Sequence, residues 1–190
     1  MHFDVSGSYI APGCFIDHDV EIGENACICA NAVIKNARIG KNFILREGAV
    51  VGSDGFTFAH DEQDNWLRTP SMGGVIIGDN VEIGTNSCVA SGTADATYIG
   101  DHVKTDALVY VGHDARIGDN TEISAGGIVG GYVETGDHTE VGFNASIRNR
   151  LVIGSDNIIG MGAVVTHRTE DGKVYVGNPA HLLLKEDMTS

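Results

Sequence analysis

Residues 99–130, IGDHVKTDALVYVGHDARIGDNTEISAGGIVG, place a β-branched residue at every sixth position. Continued to Val165, the same step meets twelve positions that are all Ile, Val or Thr, and eight of them precede a glycine. β-Branched residues favour pleated, buried strands, whereas glycine adopts the backbone conformations of tight bends. The six-residue period therefore predicts an all-β solenoid built of short strands and corners.

The repeat covers most of the chain but is interrupted. It begins at Ile10, slips by one residue before Ile39, and resumes at Ile77 after the segment 53–74. A smaller slip falls at 91–98. Three hexads close one triangular coil, so residues 18 apart stack on neighbouring coils about 4.8 Å apart. We expect about eight coils.

The same boundaries predict the domain organisation. Residues 1–176 form one solenoid domain with a loop insertion at 53–74, and residues 177–190 form a tail with a short helix. The chain has 190 residues, 42% of them hydrophobic, which suits a single globular domain.

The charge balance excludes some classes of partner. A net charge of −14 argues against a general nucleic-acid binder and against binding to anionic membranes, because both need a basic surface. No apolar run reaches the roughly 18 residues of a transmembrane helix, and the first residues lack a signal-peptide pattern. The four cysteines form no CxxC pair. We therefore expect a cytoplasmic protein with reduced cysteines.

Two segments resemble a known family. VVGSDGFTFAHDEQDNW (residues 50–66) and VKTDALVYVGHDARIGDN (residues 103–120) are similar to the left-handed β-helix acyltransferases with hexapeptide repeats. Within that group they resemble the N-acyltransferases of lipid A synthesis that act on UDP-3-O-acylglucosamine. The resemblance spans residues 10–165 or so. It implies a left-handed parallel β-helix, a homotrimer with sites between subunits, and a catalytic histidine.

The ends of the chain differ from that lipid A enzyme. The coils begin by residue 10, so we expect the family's N-terminal uridine-binding domain to be absent. Residues 160–186, with GNPA at 177–180, resemble the end of acetyl-CoA-dependent sugar acetyltransferases instead. This second resemblance favours acetyl-CoA or another acyl-CoA over acyl carrier protein as the acyl donor.

Acyl transfer to an amine needs a base that works near pH 7, and histidine has a suitable pKa. His113 follows Val111 and Gly112 just past a corner, at the position of the family's catalytic histidine. Asp114 could hold the imidazole in one tautomer. One coil further, Gly131 leaves a slot beside the histidine, and its N–H could bind the thioester oxyanion. Solvated corner residues are the alternative for each.

Steps of 18 extend this column toward the C-terminus. The basic side chains of this column form a local positive patch in an otherwise acidic chain, which suits the phosphates of coenzyme A. Ordinary surface charge is the alternative. The predicted donor-binding residues are Asn149, Arg150, His167, Arg168 and Lys173.

The insertion supplies candidate acceptor-binding residues. Phe56 and Phe58 could stack on a sugar face, and Asp54 could accept hydrogen bonds from hydroxyls or an ammonium group. A self-packed loop is the alternative. No two histidines have the HxxxxH spacing of the gamma carbonic anhydrases, so we expect no metal site. We also expect no tightly bound cofactor.

The sequence thus favours an acyl-CoA-dependent N-acyltransferase for a nucleotide-linked amino sugar, in surface polysaccharide or lipopolysaccharide synthesis. Attack on the thioester would be direct, because no cysteine lies in the proposed site. Three alternatives remain open. They are N-acyl transfer from acyl carrier protein in lipid A synthesis, O-acetylation of a sugar, and a non-catalytic scaffold.

Overall fold

The computed structural model describes residues 2–3 and 7–182, and these residues contain strands but no helix. Three parallel sheets form the walls of a triangular prism. Face 1 contains His2–Phe3, Glu21–Ile22, Ala37–Ile39, Val75–Ile77, Thr97–Ile99, Arg116–Ile117, Glu134–Thr135 and Val152–Ile153. Face 2 contains Tyr9–Ile10, Cys27–Ile28, Ile44–Leu45, Glu82–Ile83, Lys104–Thr105, Glu122–Ile123, Glu140–Val141, Ile158–Ile159, Val174–Val176 and the antiparallel His181–Leu182. Face 3 contains Phe15–Ile16, Val33–Ile34, Val50–Ser53, Cys88–Ala90, Tyr110–Val111, Ile128–Val129, Ser146–Ile147 and Val164–Val165.

The strand register confirms the hexad arithmetic. Tyr110 pairs with Ile128, and Ile128 pairs with Ser146, which are steps of 18 residues. The slip before Ile39 shortens one coil, so that Val33 pairs with Val50. Sheets of eight, ten and eight strands make slightly more than the expected eight coils.

In most of the short strands one residue points inward and is buried. Ile83, Val111, Ile123, Val129 and Ile159 are among the inward residues with at most 1% exposure. Apolar burial contributes roughly 25 cal/mol per Å² of surface removed from water, so this continuous column is the main source of stability.

The corners depend on left-handed backbone conformations. Eight asparagines have positive φ, as at Asn120 (φ 54°), because their short polar side chains tolerate this region. Aspartates form a second ladder along the corner between faces 1 and 2. The Asp101 N–H donates to Asp119 Oδ1 at 2.8 Å, and the Asp119 N–H donates to Asp137 Oδ1 at 2.9 Å. These contacts explain the recurring Ile-Gly-Asp motif.

All three interruptions of the repeat lie at the edge between faces 3 and 1. The insertion 53–74 contains a hairpin of Phe58–His60 and Trp66–Arg68. The slip at 91–98 lies one coil further, where Gly73 and Gly92 are joined by a backbone hydrogen bond of 2.9 Å. The predicted insertion is therefore confirmed as a projecting element on one edge.

The predicted C-terminal helix is wrong for the part of the tail that the structure describes. Residues 177–180 form a turn, and His181–Leu182 pairs antiparallel with Val174–Val176. The Ala180 N–H also donates to the carbonyl of Val164 at 2.8 Å. The tail thus caps the last coil, while residues 183–190 lie outside the described residues. In residues 7–182 no helical segment has the length and apolar character to cross a bilayer.

Candidate active site

His113 lies at the edge between faces 3 and 1, directly beyond the strand Tyr110–Val111. Val111 points inward and is buried, so the chain turns at Gly112 and presents the next side chain on the corner. The His113 side chain is only 15% exposed, because two neighbouring elements cover it. These are the insertion and the next coil.

A short hydrogen bond joins His113 to Asp114. The imidazole Nδ1 lies 2.8 Å from Asp114 Oδ2. Since a carboxylate only accepts hydrogen bonds, Nδ1 carries the proton and Nε2 keeps a free lone pair. The Nε2 atom is then the one that can take a proton from a substrate.

Asp114 is fixed by a second layer of donors. Thr93 donates from its backbone N–H at 3.0 Å and from its hydroxyl at 2.8 Å to Asp114 Oδ2. Burial favours the neutral acid, but the hydrogen bonds from Thr93 and His113 outweigh burial and lower the pKa of Asp114 below its usual value. The carboxyl group is therefore ionised at neutral pH.

The insertion packs directly on the histidine. A Cβ on Gly55 would lie 2.8 Å from the Cβ of His113, so only glycine permits this approach. Thr57 Oγ1 lies 3.2 Å from His113 Nε2. Arg68 Nη1 donates to the Gly55 carbonyl at 2.9 Å, and the Gly55 N–H donates to Ser71 Oγ at 2.8 Å. The loop is thus held in place on both sides of Gly55.

The next coil places Gly131 against the other side of the imidazole. A Cβ on Gly131 would lie 2.9 Å from His113 Nε2, so the glycine leaves space beside this nitrogen. No acceptor is found for the Gly131 N–H in the part of the chain that the structure describes. This N–H is therefore available to a bound oxygen.

Tyr132 and Arg150 continue the column with unusual backbone conformations. Their φ values are 57° and 61°, where residues other than Gly, Asn and Asp pay a steric cost. The Tyr132 ring contacts His113 edge-on at 5.2 Å, and its hydroxyl lies 3.1 Å from Thr93 Oγ1. The Arg150 guanidinium stacks 4.4 Å above the same ring. Tyr132 lies one coil, or 18 residues, before Arg150.

A cavity of about 240 Å³ opens over this arrangement. Its lining residues come from the insertion and from three successive coils. They are Phe56, Thr57, Phe58, His113, Gly131, Tyr132, Asn149 and Arg150. An apolar hollow of about 300 Å³ adjoins it on the insertion, between Phe56, Phe58 and Trp66.

The structure brings together most of the predicted site residues, but not all of them. Asp54 is exposed and does not line the cavity, and neither do His167 and Arg168, although Arg168 continues the same corner. Lys173 lies at a different edge, because it precedes the face 2 strand Val174–Val176. We therefore leave Lys173 out of the proposed donor site. Sequence reasoning missed Thr57 and Thr93, whose only signal was their place in the insertion 53–74 and in the slip at 91–98.

A second His-Asp pair shows how the insertion 53–74 and the slip at 91–98 change the environment of His113. His18 and Asp19 occupy the same repeat position as His113 and Asp114, four coils earlier. His18 is 89% exposed and contacts Asp17 instead. Asp17, His18 and Asp19 could together approach a metal ion, but all three are accessible and nothing else points to a ligand. Another cavity, of about 560 Å³, is lined partly by His18, and the titratable side chains that line it are exposed.

Comparisons with known proteins agree with this architecture. The family of bacterial transferase hexapeptide (six repeats) matches residues 6–36 and 96–131. A UDP-3-O-acylglucosamine N-acyltransferase of Coxiella burnetii is 49% identical over 80 residues, which are 42% of this chain and 23% of that protein. A UDP-N-acetylglucosamine acyltransferase from Campylobacter jejuni has a TM-score of 0.76 at 25% identity, covering 92% of this chain and 74% of that one. LpxA from Acinetobacter baumannii has a TM-score of 0.70 at 27% identity, covering 94% and 72%.

The three parallel sheets and the likeness to these solved structures define a left-handed parallel β-helix of the hexapeptide type. Two segments of the chain, residues 6–36 and 96–131, are similar to the hexapeptide-repeat transferase family. The match of the chain spans about a quarter of the length of the Coxiella burnetii relative.

Proposed function

We propose that the chain is an acyltransferase that moves an acyl group, most simply acetyl, from coenzyme A to the amine of a nucleotide-linked amino sugar. The observation that carries this proposal is the Asp114–His113 pair, with a 2.8 Å hydrogen bond, on the wall of a cavity beside Gly131. An oriented base next to an open backbone donor is the arrangement that acyl transfer requires.

The proposed reaction is direct attack on the thioester. The acceptor nitrogen takes the place beside His113 Nε2 and attacks the thioester carbonyl. His113 receives the amine proton, while Asp114 stabilises the imidazolium that forms. The Gly131 N–H donates to the oxyanion of the tetrahedral intermediate. The C–S bond then breaks, and His113 delivers the proton to the thiolate sulfur.

The donor is proposed to lie along the column toward the C-terminus. Asn149 and Arg150 line the cavity, and Arg168 continues the corner beyond them. A pantetheine arm extended along this edge would bring its phosphates to the two arginines, which favour phosphate geometrically and electrostatically. His167 directly precedes Arg168, and both residues are exposed.

The acceptor is proposed to contact the insertion. Phe56 is 78% exposed, and with Phe58 and Trp66 it forms an open apolar hollow next to the base. Exposed aromatic rings of this kind favour stacking on the apolar face of a sugar. Asp54 is close in sequence, and we propose that it binds acceptor hydroxyls at the rim.

A homotrimer would complete the site. A cavity of about 240 Å³ is smaller than usual ligand pockets of roughly 300–1,000 Å³ and is far from enclosing coenzyme A. Face 3 borders the edge that holds His113. The outward side chains of its strands carry no charge, unlike those of the strands in faces 1 and 2. They are Phe15, Val33, Val50, Cys88, Tyr110, Ile128, Ser146 and Val164. A second copy packed on this face would cover the apolar surface and wall the cavity.

A donor titration tests the proposal. Acetyl-CoA, coenzyme A and acyl carrier protein charged with a hydroxyacyl chain are titrated into the protein by calorimetry, and melting temperatures are recorded. We expect binding of coenzyme A that weakens in Arg150→Gln and Arg168→Gln, followed by acylation in a screen of nucleotide-linked amino sugars. A protein that binds neither thioester donor contradicts the proposal.

One second candidate is favoured by a specific observation. The Coxiella burnetii relative is named for N-acyl transfer to UDP-3-O-acylglucosamine, which supports a hydroxyacyl donor on acyl carrier protein in lipid A synthesis. Binding of the charged carrier protein without binding of acetyl-CoA would select this alternative. O-Acylation of a hydroxyl would use the same base and is distinguished by the linkage in the product.

A further inference from the structure

The insertion places a hydroxyl group where a nucleophile must stand. Thr57 Oγ1 lies 3.2 Å from His113 Nε2, within the reach expected between a general base and its nucleophile. Because His113 Nδ1 donates to Asp114, the lone pair on Nε2 is directed to the Thr57 hydroxyl. Thr57, His113 and Asp114 therefore form an uninterrupted chain of hydrogen bonds.

This arrangement matches the signature of an activated nucleophile. A hydroxyl on a base, with the base oriented by a buried carboxylate, is the recurrent geometry of covalent acyl transfer. The carboxylate is 6% exposed and holds the base through a 2.8 Å contact. The Gly131 N–H, proposed above to bind the oxyanion, lies on the coil that adjoins the same imidazole nitrogen.

Contacts on both sides of Thr57 hold it in position. Its carbonyl accepts from the Thr69 N–H at 2.9 Å, just before the hairpin of Phe58–His60 and Trp66–Arg68. Gly55 packs against the Cβ of His113 two residues earlier. Thr57 is half-buried between these anchors, so its hydroxyl is held at the base.

We propose that Thr57 is a site of self-acylation when an acyl thioester is bound without an acceptor. His113 takes the hydroxyl proton as Thr57 Oγ1 attacks the thioester carbonyl. The new C–O ester bond forms, the C–S bond breaks, and His113 returns the proton to the thiolate. An acceptor amine displaces the hydroxyl from His113 for direct transfer. This inference rests on the proposed thioester chemistry but not on the identity of the acceptor.

Mass spectrometry of the intact protein tests the inference. The protein is incubated with acetyl-CoA or with hydroxyacyl carrier protein, without acceptor, and quenched in acid. We expect one added acyl group that maps to Thr57. It persists in Thr57→Ser and is lost in Thr57→Val, which keeps the side-chain shape without the hydroxyl. Thr69→Val is the matched control, because Thr69 pairs with Thr57 through backbone atoms only, and it should be labelled like the wild type.

The variants also separate this inference from the proposed function. Labelling should fall about 100-fold or more in His113→Ala, because the hydroxyl loses its base. An acyl group that is absent from Thr57 with both donors, or equally present in Thr57→Val, overturns the inference. A Thr57→Val variant that loses the label but still acylates an amino sugar supports both the proposed function and the inference, because direct transfer does not use the Thr57 hydroxyl. If Thr57 is labelled but no amino sugar is acylated, the proposed function fails alone.

Discussion

At the residue scale, the ionised state of Asp114 controls both the base and local stability. Asp114→Asn keeps a residue that tolerates the positive φ of 56° but removes the charge that stabilises the imidazolium. We expect kcat to fall roughly 10²–10⁴-fold with little change in KM. Steady-state kinetics with the identified acceptor measure this split. An unchanged kcat would show that Asp114 does not act through His113.

The same substitution predicts a pH dependence of stability. Folding lowers the pKa of Asp114 below its usual value, so the native state favours the ionised form. The contribution of its hydrogen bonds, about 1.5–3 kcal/mol for charged partners, is complete above about pH 5 and is lost as the pH falls through the folded pKa. The difference in unfolding free energy between wild type and Asp114→Asn, measured in urea, should be constant near neutrality and shrink in acid. A difference that grows in acid would contradict this assignment.

Gly131 tests the space beside the base. A methyl group there would lie 2.9 Å from His113 Nε2, so Gly131→Ala should push the imidazole away from its reactive position. We expect a loss of kcat of about tenfold or more, since small displacements of catalytic groups are costly, with a melting temperature near that of the wild type. Full activity of Gly131→Ala would show that the space beside His113 Nε2 is not needed for the reaction.

At the element scale, the corner aspartates are predicted to stabilise the coils. Asp119→Ala leaves the Asp101 N–H without its acceptor and should cost about 0.5–1.5 kcal/mol of unfolding free energy. Glu122→Ala, on the outer surface of the following face 2 strand, is the control and should change little. Urea denaturation of both variants decides the matter, and equal losses would contradict a specific role for the ladder.

Most strands of the fold could be predicted from the sequence. The spacing of β-branched residues predicted the strands, the 18-residue stacking and the insertion at 53–74, because each inward position must be apolar. It also placed His113, Gly131 and Arg150 in one column. The tail was mistaken for a helix because pairing of His181–Leu182 with the last coil depends on tertiary contacts.

The environment of the histidine could not be read from the repeat. His18-Asp19 and His113-Asp114 have identical residues at identical repeat positions, yet only His113 contacts its following aspartate. The difference comes from residues in the irregular segments, such as Thr57 and Thr93, whose positions follow no period. Catalytic roles for these residues stay predictions.

At the scale of the whole molecule, the uncharged face 3 predicts the assembly. Ile128 is 46% exposed on this face, one strand from His113. Ile128→Glu should convert a trimer into smaller species, because a buried charge without a partner is strongly unfavourable. Ile158→Glu, 44% exposed on face 2, is the matched control and should remain trimeric. Light scattering coupled to size exclusion measures both, and a monomeric wild type would contradict the proposed assembly.

The central claim is that the corner holding His113 performs acyl transfer. The direct measurement is the rate of thiol release from the donor identified by titration. The rate is recorded with and without the acceptor sugar, for the wild type, His113→Ala and His18→Ala. We predict that His113→Ala loses about 100-fold or more, whereas His18→Ala, at the same repeat position but solvent-exposed, keeps the wild-type rate. Equal rates in wild type and His113→Ala would contradict the claim.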